Sequence, residues 1–144
     1  MDNLDVLVGE WSMGVPFNPD QQIVEGGRVT FEWLSEGSYL VQRWEIDYEQ
    51  APDGIAVIGP DESGEKLCQH YFDTRGIARV YEMSLSDGVW KLWRNWPGFS
   101  QRFTGTFTDD GRTIEGAWEK CLDGTTWEHD FDLVYTKVEA EAPA

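Results

Sequence analysis

The chain has 144 residues, enough for one domain with a sizeable core. Its 27 acidic residues against 11 basic ones give a formal net charge of −16, a field that repels phosphate backbones and anionic bilayers, so neither nucleic acid nor membrane is an expected partner. Hydrophobic residues make up 40%, with eight Trp, seven Phe and five Tyr, which excludes disorder and points to a packed aromatic core or an aromatic-walled cavity.

No basic-then-apolar leader follows Met1, and no apolar run approaches a membrane span, which predicts a cytoplasmic protein. In chain order, a short helical piece is expected at 2–8. Strands follow at 7–14, 27–34, 38–48, 55–59, 66–73, 77–85, 88–95, 99–108, 112–120 and 125–137, rich in Val, Ile, Thr and aromatics and without a sustained helical period. Residues 16–25, with Pro16, Pro19 and Asp20-Gln21-Gln22, read as an irregular loop. Turn signals punctuate the rest: Ser35-Glu36-Gly37, Pro52-Asp53-Gly54, Glu62-Ser63-Gly64, Thr74-Arg75-Gly76, Ser86-Asp87-Gly88, Trp96-Pro97-Gly98, Asp109-Asp110-Gly111 and Leu122-Asp123-Gly124. Many of the acids fall in these turns and read as a solvated exterior. Residues 1–138 form the domain, and 139–144 read as a flexible acidic tail.

Sequential strands joined by tight turns, with almost no helix, must hide their edges. An antiparallel up-and-down β-barrel of about eight to ten strands does so by closing on itself, whereas a two-sheet sandwich needs longer crossovers. A barrel of that size leaves room for a ligand unless side chains fill it.

Alternation assigns the faces. The expected inward sets are Leu40, Gln42, Trp44 and Ile46; Cys68, His70 and Phe72; Ile77, Arg79, Tyr81 and Met83; Trp90, Leu92 and Arg94; Phe99, Gln101, Phe103 and Phe107; Ile114, Gly116 and Trp118; and Trp127, His129, Phe131, Leu133 and Tyr135. Cys68 and Cys121 are too few for a disulfide framework, stand in no metal-ligand spacing and read as reduced structural thiols.

Leu7-Val8-Gly9-Glu10-Trp11 resembles the Gly-x-Trp signature that opens the first strand of lipocalin-like barrels, where the Trp plugs the closed end. The stretches His70-Tyr71-Phe72-Asp73-Thr74-Arg75-Gly76, Val80 to Leu85, Val89 to Arg94 and Thr126 to Leu133 resemble an uncharacterised bacterial, actinobacterial-type lipocalin-like (calycin) family over residues 5–138. That resemblance implies the fold and brings no established reaction. The same N-terminus also resembles the nitrobindin-type haem barrels, keeping Gly9, Trp11, Gly14 and Pro16 but lacking their Gly alternation and Tyr; haem, if bound, would take His129 as its axial ligand.

The predicted ligand-binding residues are Trp33, Gln42, Trp44, His70, Arg79, Tyr81, Trp90, Arg94, Gln101, Phe103, Trp118 and His129, mostly apolar walls with a few orienting polar groups. The leading reading is binding of a small hydrophobic or aromatic molecule, which can be anionic, because a buried Arg79 or Arg94 lacking a carboxylate would suit one. The alternative is a cofactor-free lyase, isomerase or cyclase using His129, Tyr81 and Arg94. A haem barrel ranks third, and a filled barrel acting through its surface fourth. His70 and His129 alone make an incomplete metal site, so no metal is expected. The protein is expected to be a monomer or homodimer.

Overall fold

A computed structural model describes residues 4–16, 23–34, 38–46, 52–108 and 111–138. A 3-10 turn, Leu4–Leu7, precedes ten strands. They are β1 (Gly9–Pro16), β2 (Ile23–Trp33), β3 (Leu40–Ile46), β4 (Gly54–Pro60), β5 (Leu67–Asp73), β6 (Ala78–Ser86), β7 (Val89–Arg94), β8 (Ser100–Thr108), β9 (Thr113–Cys121) and β10 (Trp127–Lys137). Every strand pairs antiparallel with its sequence neighbour. The ring closes where β1 meets β10, from Trp11 opposite Lys137 to Gly14 opposite Val134, so no edge is left to aggregate.

The expected loop at 16–25 is in part strand: the β1–β2 ladder passes an irregularity at Met13/Gly14 and continues to Pro16 opposite Ile23. Residues 17–22, the Ser35-Glu36-Gly37 turn, Asp109-Asp110 and the tail at 139–144 lie outside the described residues. The β6–β7 hairpin shows how the turn chemistry works. Its two-residue loop is Asp87-Gly88, with φ of 53° and 74°, and only residues tolerant of the left-handed region match the twist of the flanking strands.

One end of the barrel is closed. Trp11, with no exposed surface, donates its Nε1–H to the Leu7 carbonyl at 2.9 Å and sets its ring edge-on to Phe107. Leu4 and Leu7 of the 3-10 turn are buried, and the Trp33 Nε1–H reaches Asp5 at 2.9 Å. The 3-10 turn thus caps the lumen, held by two indole hydrogen bonds. Among the described residues, the opposite end is framed by the β5–β6, β7–β8 and β9–β10 connections. Cys68 and Cys121 are buried and unbridged. Among the described residues no helix is long and apolar enough to cross a membrane.

Candidate functional site

Above the plug, inward side chains leave a cavity of about 570 Å³, within the range of sites that hold drug-sized molecules. Its wall is a near-continuous belt of rings. Trp44 stacks on Tyr71 at 5.3 Å, Tyr71 meets Tyr81, and Tyr81 meets Trp118 at 5.5 Å. Trp118 leans on Phe103 at 5.2 Å, Phe103 stands edge-on to Trp90 at 5.1 Å, and Trp90 faces Tyr135. Phe103 sits so low because it lies over two glycines: a Cβ on Gly116 would come within 2.5 Å of its ring, and one on Gly105 within 2.9 Å. Leu92, Leu133 and Met13 complete the apolar lining.

Polar groups in this wall are paired with each other. Gln69 donates to Gln42 Oε1 at 2.9 Å, and the Tyr81 hydroxyl donates to Gln101 Oε1 at 3.0 Å. The exception is the Trp90 indole N–H: Trp90 is 1% exposed, yet its Nε1 has no hydrogen-bond partner. An unmet buried donor of this kind costs about 1–3 kcal/mol. Burial raises the pKa of Tyr71, Tyr81 and Tyr135, most for Tyr71 and Tyr135; the Asp73 carboxylate adds to the rise at Tyr71, while the Arg79 and Arg94 charges partly oppose it at Tyr81. All three phenols therefore stay protonated at neutral pH and act as hydrogen-bonding groups, not bases.

The mouth gathers cations in an acidic protein. Asp73, its side chain fully buried, accepts hydrogen bonds from the Tyr71 hydroxyl at 2.6 Å and from Arg75 Nη2 at 2.6 Å. Burial pushes the Asp73 carboxyl up, but the hydrogen bonds from Arg75 and Tyr71 outweigh it and hold the pKa at about 2. Asp130 lines the cavity and pairs with Lys120 at 3.7 Å. Arg79 and Arg94 differ from the other paired arginines. Arg28, Arg43, Arg75 and Arg102 each hold a carboxylate, whereas Arg79 rests over the Phe99 ring and Arg94 over Trp96, with no carboxylate on either among the described residues.

Of the residues predicted for the site, Gln42, Trp44, Arg79, Tyr81, Trp90, Gln101, Phe103 and Trp118 line this cavity. Arg94 stands at its rim, 3.5 Å from Gln101 Oε1. Trp33 does not reach it, being tied to Asp5 at the closed end.

His70 is exposed on the outer face, because β5 takes the phase opposite to the expected one: Leu67, Gln69 and Tyr71 turn inward and Phe72 outward. The buried Gln42–Gln69 pair makes that phase tolerable. Cys68 is buried on the outer phase.

His129 is also exposed and outside, bonded to Asp132 at 2.8 Å. A bulge causes this. His129 pairs with Glu119 but Phe131 with Trp118, so Asp130 is an extra residue and the alternation reverses across it. Trp127 follows His129 outward and carries Arg102 over its ring at 4.1 Å.

The chain's two imidazoles therefore both point away from the cavity. They stand on β5 and β10, opposite one another in the ring, so they form no metal pair. His129 cannot serve as axial ligand to a haem in the lumen or as base to a substrate there, and the residues present do not fit a His-ligated haem. Gln69, Tyr71, Arg75 and Asp130 belong to the cavity although sequence reasoning missed them. For Tyr71 the aromatic wall on neighbouring strands was a usable signal; for Asp130 none existed.

No family model matches the chain, and no curated protein matches it. Among solved structures, the crystal structure of Rv2717c from M. tuberculosis is similar, with a TM-score of 0.60 over 94% of this chain and 95% of that one, at 13% sequence identity. At that identity the likeness shows a shared barrel fold.

Proposed function

We propose that this barrel binds a small, mainly aromatic or apolar organic molecule in its lumen. The observation that carries this reading is the cavity of about 570 Å³ walled by interlocked rings inside a closed ring of strands. The plugged end and the meander also support placing the chain with the lipocalin-like, calycin-type binding barrels, and we read it as a cytoplasmic protein. The charge of −16 argues against nucleic acid or an anionic membrane as partner. Binding is favoured over turnover because both imidazoles face outward and leave no histidine base in the lumen.

The test uses N-phenyl-1-naphthylamine, an uncharged probe that fluoresces in apolar surroundings. It should saturate one site, quench the tryptophans, and lose affinity at least tenfold in Leu133→Trp, which fills the lumen. No uptake, or equal uptake by the filled variant, overturns the proposal. Native mass spectrometry of the purified protein against its denatured mass then reports any ligand retained from the cell.

A further inference from the structure

The hydrogen bond between Gln42 and Gln69 uses only part of each amide. Gln69 donates through Nε2 and Gln42 accepts through Oε1, at 2.9 Å. The Gln42 amide nitrogen and the Gln69 amide oxygen are left over, and among the described residues no side chain or backbone group bonds them. Both residues line the cavity and are 6% and 4% exposed. Among the described residues, Trp90 Nε1 is the buried side-chain polar atom with neither open surface nor partner. The leftover amide atoms therefore keep open surface, and the space beside them is the lumen. A donor and an acceptor stand together on one ledge of an otherwise apolar wall.

The fold builds this ledge. Gln42 lies on β3 and Gln69 on β5, with β4 between them, so their backbones stand about 10 Å apart. Two glutamine side chains are long enough to close that gap. They do so beside Ala56, the small, fully buried residue that β4 sets opposite Gln42. Two residues further toward the mouth on the same strands, Trp44 and Tyr71 stack on each other at 5.3 Å. Flat rings and an amide edge are thus offered side by side.

We propose that the ligand is a neutral, planar aromatic lactam, a fused ring system with C=O and N–H adjacent on one edge. Its carbonyl accepts from Gln42 Nε2, its N–H donates to Gln69 Oε1, and its rings lie against the aromatic belt. This deepens the proposal above and rests on it, because the lactam enters the same lumen. An apolar guest covering the ledge would strip water from a donor and an acceptor and answer neither. A carboxylate would answer the donor but set its charge against the Gln69 oxygen. A lactam answers both, and a site built on such a pair rejects an analogue that lacks one of them.

The test is displacement of N-phenyl-1-naphthylamine by phenanthridin-6(5H)-one and by its 5-methyl derivative, which has the same rings and carbonyl but no N–H. The lactam should bind at least tenfold tighter than the methylated compound. That advantage should vanish in the Gln42→Met/Gln69→Met double variant, which replaces both partners of the pair by apolar side chains of similar length. In the unaltered protein, the N–H of ¹⁵N-labelled lactam should show nuclear Overhauser contacts to the side-chain amide protons of Gln42 and Gln69, a readout that needs no variant to fold.

Equal binding of the two compounds, an advantage that survives the double variant, or a bound lactam whose N–H shows no contact to either glutamine overturns the inference. If N-phenyl-1-naphthylamine saturates the lumen under any of these outcomes, the binding barrel stands and this inference alone falls. If neither the dye nor the lactam enters, both fall together.

Discussion

Gly116→Ala is the perturbation that most directly tests how the cavity is shaped. The new Cβ would lie 2.5 Å from Phe103 Cε1, 2.6 Å from its Cζ and 3.1 Å from the Leu133 carbonyl. Ordinary carbon contacts are about 3.5–4.0 Å, so the ring must retreat by about 1 Å. Trp90 and Trp118 fence it at 5.1 and 5.2 Å, and Gly105 lies beneath it, which leaves the cavity as the way out. Overpacking of this kind costs about 1–3 kcal/mol, and the displaced ring also takes volume from the lumen. Urea unfolding followed by tryptophan fluorescence should show a lower midpoint at unchanged slope, and N-phenyl-1-naphthylamine should bind more weakly. In a Phe103→Leu background the same glycine change should cost less than about 0.5 kcal/mol, because the clash is gone; the cycle isolates the coupling. A Gly116→Ala protein within about 0.5 kcal/mol of the parent, with unchanged probe affinity, would refute the claim that glycine sets the height of Phe103.

Other consequences are equally specific. Asp73→Asn should destabilise the fold by about 1–2 kcal/mol at neutral pH through loss of the Tyr71 and Arg75 clamp. The Asp73 pKa is depressed in the folded protein, from an ordinary 3.8 to about 2, so its contribution is present above about pH 4 and lost as pH falls through 2. Urea midpoints of parent and variant should therefore converge over that window; a constant gap down to pH 2 would contradict the clamp. His129→Ala should leave probe affinity unchanged and stability within about 0.5 kcal/mol, since it removes an exposed contact to Asp132 outside the barrel; a tenfold loss of binding would place the imidazole inside after all. Trp11→Phe removes the hydrogen bond to Leu7 and opens a void in the plug. Thermal unfolding should report a loss of about 2–4 kcal/mol.

The barrel itself was legible because its signals are local. Asp87-Gly88 names its turn, and β3 and β8 set Arg43, Glu45, Arg102 and Thr104 on one phase, so Leu40, Gln42, Trp44 and Phe103 fall on the inner face with no knowledge of their partners. β5 resisted because both of its phases carry apolar groups: Leu67 and Tyr71 compete with Cys68 and Phe72. The decision rests on Gln69, which goes inside only because Gln42, a residue of another strand, is there to accept from it. A hydrogen bond across the lumen has no signature in either strand alone. Arg75 shows the same limit, since a turn signal reports the bend and not the buried Asp73 that makes the turn a rim of the site.

The bulge in β10 is where the functional reading turns. With unbroken alternation, His129 would share the inner face with Phe131 and Leu133, and an imidazole beside Trp118 would make general-base chemistry or metal ligation a reasonable inference. One extra residue at Asp130 turns the imidazole out to Asp132 and puts a carboxylate, paired to Lys120, at the rim instead. What then faces the lumen is a set of phenols held protonated by burial, the Gln42–Gln69 and Tyr81–Gln101 contacts, Arg79 and the Asp130 carboxylate. The register of a single strand thus decides which groups the lumen presents: rings, hydrogen-bonding side chains and the Asp130 carboxylate, with both imidazoles outside.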